Sequence, residues 1–258
     1  MSGGMSHALR RERTGYPQAK RLLYTGRIPE LLKAGIDANG LLRAGSAVSQ
    51  QTLHELPQLR ERFAALAESL DAAGHVRVRR MTTVGGSVGP LIGGFDLPVA
   101  LLALNTRVVT ACTTGRRTYP LAEAFDKRFA KDEIVVAIEV DALPVRSGSA
   151  FHKFLPRGVI ETPAVNAAAR VTLDAQGRCV AAQLVVGAVS WKPIILEPQA
   201  LHGSAFDAET IHAAVRPVRD LAQPMPNVRG SVMYKRNMAV EIGARTLIRA
   251  WQQALRQT

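Results

Sequence analysis

The 258 residues predict an α+β protein of two consecutive parts, and three observations lead there. The first half alternates strand-like and helix-like periodicities. Three strand-like segments then follow one another between Ser149 and Val186, and the chain closes on helices, the last running from Ser231 to Leu255. Strands followed by terminal helices make an α+β module.

Taken in order, residues 1 to 20 are polar and basic, contain Gly3-Gly4, and have no period; they read as a tail. The short apolar run Arg21 to Tyr24 and the pair Thr25-Gly26 lead to a helical turn at Ile28 to Leu32. Leu41 to Val48 reads as a strand, and Ser49 as the N-cap of a helix from Gln50 to Leu56, its hydroxyl suited to an orphan amide of the first turn. Pro57 opens a longer helix through Ala73. Leu59, Phe63, Leu66 and Leu70 form its apolar face, Arg60, Glu61, Arg62 and Glu68 its polar one, and Gly74 ends it.

The most informative stretch is Met81 to Asn105, MTTVGGSVGPLIGGFDLPVALLALN. Gly85-Gly86 and Gly93-Gly94 lack a Cβ, so they can take positive φ and bring backbone close to a ligand. Their amides are candidates for a concave donor cluster for phosphate or diphosphate; an ordinary loop turn is the alternative. A helix from Asp96 to Leu104 follows, with Asp96 where a cap would sit.

Arg107 to Ala111 reads as a strand that turns at Gly115 and returns through Arg117 to Tyr119; Leu121 to Phe125 is a short helix and Lys131 to Val140 a strand. Pro144 to Ser149 is the linker candidate, dividing the chain into 21–145 and 146–258. Beyond it lie strands at Ser149 to Phe154, Ala164 to Leu173 and Arg178 to Val186. A helix at Asp207 to Ala214, a proline-broken loop at Leu221 to Val228 and the long final helix complete the chain.

Composition narrows the function. Thirty-three Lys and Arg against 21 Asp and Glu give a net charge of +12, suited to an anionic cofactor, an acidic protein, an anionic membrane surface or nucleic acid. Aromatic residues are only 5%, too few for stacking platforms, and helix-turn-helix and RNA-module signatures are absent, so nucleic acid is not the expected partner. Cys112 and Cys179 stand far apart and the six histidines have no ligand spacing, so no metal site is expected. No apolar run reaches the ~18 residues of a membrane span and no signal peptide opens the chain. A soluble cytoplasmic protein is expected.

Four segments resemble a known family, the FAD-binding (medium) subunit of molybdenum hydroxylases of the carbon monoxide dehydrogenase and xanthine dehydrogenase type. They are GRIPEL (Gly26 to Leu31) with LLRAGSAVSQQTL (Leu41 to Leu53), the glycine stretch itself, KDEIVVAIEV with SAFHKF (Ser149 to Phe154), and NVRGSVMYKRNMAVEIGARTL (Asn227 to Leu247). The last resembles the Arg-Gly-Ser-any-any-Tyr-Arg-Arg segment that opens the family's C-terminal helix. The resemblance spans roughly residues 21 to 255. The family's opening strand, helix and Gly-Gly-Thr-Asp-Leu-type loop have no counterpart in this reading, Gly3-Gly4 lying in a basic stretch with no apolar strand before it. The expectation is therefore an incomplete FAD-binding domain, a mixed sheet with helices, followed by a small C-terminal domain of about three strands and terminal helices.

What the resemblance implies is an oxidoreductase subunit with FAD as cofactor. It would relay electrons from [2Fe-2S] clusters of a small partner subunit to NAD, quinone or oxygen, with substrate chemistry in a large molybdenum-cofactor subunit. No catalytic acid, base or nucleophile is required of this chain. Gly85 and Gly86 would bring amides to the diphosphate or ribityl region, with Val84 beside them. Thr83 would offer a hydroxyl, Ser87 would stand at the usual Asn, and Asp96 would accept from sugar or ribityl hydroxyls. Ile134 or Val135 would lie along the adenine or the isoalloxazine, and Lys153 near the flavin or its phosphate. The residues by themselves also allow Asp96 as a cap, Ile134 and Val135 as core and Lys153 as a surface charge. Two alternatives stay open: a flavin-free docking subunit of such a complex, and a basic binder of nucleic acid or acidic protein.

Overall fold

The structure is a computed structural model that describes residues 23–156 and 162–257; the tail expected at 1–20 lies outside them. A 3₁₀ turn at Pro29–Leu32 precedes β1 (Ala34–Ile36) and β2 (Leu42–Gly45). Then come α1 (Gln50–His54), α2 (Leu59–Arg62), α3 (Ala64–Asp71), α4 (Val76–Met81), α5 (Val84–Val88) and α6 (Asp96–Ala103). The hairpin β3 (Arg107–Cys112) and β4 (Gly115–Pro120), helix α7 (Leu121–Lys127) and β5 (Ile134–Val140) complete the first part. Its sheet has the order β1-β2-β5-β3-β4. A mixed sheet is expected from sequence, but every pairing here is antiparallel among the described residues.

Ser49 caps α1 as expected, its hydroxyl accepting from Thr52 N at 2.9 Å. The single helix expected from Pro57 to Ala73 is instead two. Phe63 leaves helical geometry (φ −136°, ψ 62°) between α2 and α3, and its ring is fully buried. Burying that ring redirects the chain, and the apolar spacing alone does not show such a break.

The expected linker is also shorter. Arg146 turns the chain at φ +60°, and β6 (Ser147–Phe154) starts at once, with buried Ser147 paired to Thr172. The second sheet is β6-β7-β8-β9, with β7 (Val165–Leu173), β8 (Cys179–Gly187) and a short β9 (Ile194–Leu196), one strand more than expected. Helices α8 (Ala208–Val215), α9 (Val218–Leu221) and α10 (Val232–Leu255) follow. Asp207 and Ser231 cap α8 and α10 through their side-chain oxygens.

The second sheet is covered on both faces. Ala150, Ala167, Ala169, Val171, Leu184 and Val186 join a core with Ile242, Leu247 and Trp251 of α10. The alternate residues Phe151, Ala168 and Val185 join the core of the first part with Leu66, Leu70, Leu97 and Leu101. Period-2 alternation sends neighbouring side chains to opposite faces, so a strand with two covered faces must be apolar throughout. That is why β7 and β8 read as near-continuous apolar runs. It also places α3 and α6 of the first part directly on the second sheet.

Candidate functional site

The first glycine pair lies in helix α5, not in an open loop. Thr83 is extended (φ −120°, ψ 161°) and caps the helix, its Oγ1 accepting from Gly86 N at 3.1 Å. Val84 N donates to Val48 O at 2.9 Å, Gly85 N to Ser46 O at 2.8 Å and Ser87 N to Thr83 O at 3.0 Å. The amides of Val84, Gly85, Gly86 and Ser87 thus all have acceptors within the chain. The donor cluster that Gly85 and Gly86 offer as a candidate from sequence is not open here: the amides of Val84 and Gly85 fasten α5 to the loop after β2, and those of Gly86 and Ser87 bond Thr83.

Gly85 is still required for a close approach, but to the protein's own backbone. A Cβ there would stand 2.6 Å from Ser46 Cβ and 3.0 Å from Ser46 O. Gly86 and Gly89 differ: an added Cβ would meet only Thr83 Oγ1 and Gly85 O respectively, each at 3.0 Å and both belonging to this helix or its cap. The half-buried outer side of α5 is therefore a strip without side chains, open to close approach by a ligand. Behind it, Val84 is core, and buried Ser87 donates to Thr83 O at 3.1 Å and accepts from Gln50 Nε2 at 2.8 Å.

Asp96 and Lys153 form one buried cluster where the two parts meet. The cap of α6 is Phe95, which makes no side-chain cap bond; Asp96 is the first helical residue. Its Oδ2 accepts from Lys153 Nζ at 2.8 Å and its Oδ1 from Asn166 Nδ2 at 2.8 Å. Lys153 Nζ also donates to Ala72 O at 2.9 Å. The side chains of Asp96 and Lys153 are only 10% and 9% exposed. Both plain readings, Asp96 as a cap and Lys153 as a surface charge, are thereby overturned. Burial pushes the Asp96 carboxyl above its ordinary range, opposed by the Lys153 ammonium and the Asn166 amide. Removing either partner of such a pair strands a charge away from water.

Asn166 is the residue sequence reasoning missed. An Asn in the run VNAAARV of a buried strand was the available signal, since a buried amide needs partners. Glu68 of α3 strengthens the same seam: Oε2 accepts from Phe151 N at 2.7 Å and Oε1 from Arg249 Nη2 at 2.6 Å. Ala65 N, an orphan amide at the start of α3, donates to Ser149 Oγ at 3.1 Å.

Ile134 stands at the first position of β5 opposite Ala111 and is 52% exposed; Val135 beside it is half-buried. Val135 packs against the first core, in keeping with the plain reading, whereas Ile134 does not. Glu133, just before them, helps line a cavity of about 220 Å³ with Arg117, Tyr119, Lys127, Arg128 and Phe129.

FAD can be tested against this geometry. The bare strip at Gly86 and Gly89 fits a cofactor that must come within contact of backbone; amide donation from Gly85 does not fit. The comparisons with known proteins agree on the family. Residues 1–142 match the FAD binding domain in molybdopterin dehydrogenase, and residues 150–250 the CO dehydrogenase flavoprotein C-terminal domain. The first match begins at residue 1, so it includes Gly3-Gly4 and the stretch that reads as a tail. The chain is 31% identical over 226 residues to the 6-hydroxypseudooxynicotine dehydrogenase complex subunit alpha of Paenarthrobacter nicotinovorans, covering 85% of this chain and 74% of that one. It is 27% identical to the carbon monoxide dehydrogenase medium chain of Hydrogenophaga pseudoflava, covering 92% and 83%. The solved carbon monoxide dehydrogenase from Hydrogenophaga pseudoflava that lacks the Mo-pyranopterin moiety of its cofactor superposes with a TM-score of 0.88 at 26% identity, covering 98% of this chain and 89% of that one. With its larger part inside the first of these matches, the chain belongs to the FAD-binding, medium-subunit family of the molybdenum hydroxylases.

Proposed function

We propose that this chain is the flavoprotein subunit of a molybdenum hydroxylase complex, working between a small [2Fe-2S] subunit and a final acceptor such as NAD, quinone or oxygen, while a large molybdenum-cofactor subunit oxidises substrate. The observation that carries this reading is the side-chain-free strip of α5, held rigidly against the loop after β2 in a chain of this family. When bound, FAD supplies the redox chemistry, exchanging electrons with one-electron and two-electron partners.

The protein's own part is to hold and orient. Thr83 and Gly86 face the cofactor's diphosphate or ribityl region, Gly86 through the space a Cβ would fill. Val84, Gly85 and Ser87 act from behind by fixing α5. Asp96 and Lys153 hold the start of α6 against the second sheet, so that both parts keep one geometry around the cofactor. Ile134, left exposed at the end of β5, offers apolar surface to the ring system. Purified protein assayed for flavin absorbance and released FAD tests the reading. About one FAD per chain is expected from the family's single cofactor site, and a colourless protein that takes up no added FAD would sink it in favour of a flavin-free docking role.

A further inference from the structure

Three of the barest apolar side chains in the described structure belong to the second part. Trp191 is 89% exposed, Val228 83% and Met225 81%. All three stand on loops that are firmly fastened. The Trp191 loop is held by Ala188 N donating to Gly93 O at 3.1 Å, by the Lys192–Asp126 ion pair, and by Ser190 Oγ donating to Lys192 O. It lies so close to Gly93 that a Cβ there would stand 2.9 Å from Trp191 O.

The loop bearing Met225 and Val228 is tied by buried Lys235, whose Nζ donates to Met225 O at 2.8 Å and to Asn227 Oδ1 at 2.9 Å. Arg236 Nε donates to Ala222 O at 2.9 Å, and Gln223 N donates to Val189 O at 2.9 Å, joining the two loops. The inward lysine satisfies these oxygens and holds fixed a loop that leaves Met225 and Val228 bare. Rigid, preorganised apolar anchors are what protein interfaces are built around, with Trp the most enriched.

The segment that carries Met225 and Val228 is predominantly basic. Between residues 216 and 236 stand Arg216, Arg219, Arg229, Lys235 and Arg236 against the single acid Asp220. None of the four arginines has a carboxylate partner among the described residues, while Arg219 Nη2 instead contacts Met233 Sδ at 3.6 Å.

We infer that Trp191, Met225 and Val228, with Arg216, Arg219 and Arg229 around them, form the docking face for a partner protein whose contact surface is apolar at its centre and carboxylate-rimmed, a companion subunit of the complex. A basic rim fits an acidic one and speeds encounter, while the apolar anchors set the residence time. The inference rests on the proposed role as a complex subunit.

Hydroxyl-radical oxidation read by mass spectrometry tests it, because Trp and Met side chains report their own exposure. Purified chain and intact complex, the latter defined by co-purifying iron and molybdenum, are oxidised side by side. Oxidation of Trp191 and Met225 is expected to fall about fivefold or more in the complex, as for anchors sealed from water. Equal oxidation in an intact complex overturns the docking face but leaves the subunit role standing; failure to recover iron or molybdenum with the chain counts against the subunit role itself. Resistance already present in the dilute isolated chain means that the chain covers the patch itself. Resistance that grows with its concentration means a second copy covers it, and either result also overturns the inference. The pair Trp191→Ala and Arg219→Glu should each weaken assembly, Trp191→Ala by about thirtyfold or more, with circular dichroism and flavin content unchanged.

Discussion

Within one run of sequence, α5 and the start of α6 fasten a short helix onto a neighbour by different means. Helix α5 has no charged residue; backbone amides meet backbone carbonyls, and the fit depends on Gly85 having no side chain. Asp96 opens α6 with a carboxylate that is buried against Lys153 and Asn166 of the second part. The first joint is sensitive to volume and indifferent to charge. The second is sensitive to the loss of a partner, and it is the one that couples the two parts.

The largest effect is expected at the charged joint. Lys153→Met leaves the Asp96 carboxylate buried without its counter-charge and should lower unfolding free energy in urea by about 3–5 kcal/mol. Lys153→Met combined with Asp96→Leu should recover a large part of that loss, because no lone charge remains. A single-variant loss under about 1 kcal/mol would show that water reaches the pair and that the two joints do not differ in this way. Gly85→Val comes next: its side chain overlaps Ser46, and overpacking of this kind costs about 1–3 kcal/mol. Flavin loss in that variant therefore does not by itself report a flavin contact.

Much of the fold was legible because local chemistry and tertiary structure agree. The Ser49 cap, the Gly115 turn, strand β5 and the long final helix stand where spacing puts them. The failures are places where tertiary contacts outweigh local pattern. Phe63 breaks a helix whose apolar spacing is regular, because its ring is drawn into the core. The glycine pair reads as an open loop, since low helix propensity is visible in sequence and the carbonyls of Ser46 and Val48 that stabilise α5 are not. Asp96 and Lys153, 57 residues apart, were each legible through the family resemblance, though by themselves they read as a cap and a surface charge. Their pairing was not, because it depends on how the second sheet sits on α6. Residues 1–20 illustrate the limit of reading by periodicity: they have none, yet the family match begins at residue 1.

Gly86→Ala separates packing from binding in α5. The added methyl meets only the capping hydroxyl, so stability should change by no more than about 1 kcal/mol, helix propensity partly offsetting the tight contact. FAD retention should nonetheless fall clearly, measured as flavin released per folded chain. Retained flavin at unchanged stability would move the cofactor away from this strip and leave Gly86 as a packing residue like Gly85.

The smallest effect expected is pH dependence, to which α5, with no titratable side chain, contributes nothing directly. His152, next to Lys153 on β6, has a pKa held below its ordinary value by burial first and then by Arg249 and Arg245. The folded state therefore binds fewer protons than the unfolded one at mildly acidic pH. The stability this represents is present above the unfolded pKa of about 6.5 and is lost as pH falls toward and through the folded value. Asp96 carries the opposite sign, since its raised carboxyl favours the folded state at low pH and loses that advantage as pH rises through its folded pKa. The wild-type curve contains both, so the quantity to measure is the difference between wild type and His152→Gln in urea unfolding at pH values on either side of 6.5. The wild type should lose more on acidification, by under about 1 kcal/mol because the ring is partly solvated. Parallel curves would mean that His152 titrates as it does in the unfolded chain and that the face of β6 turned toward α10 is wetter than its geometry indicates.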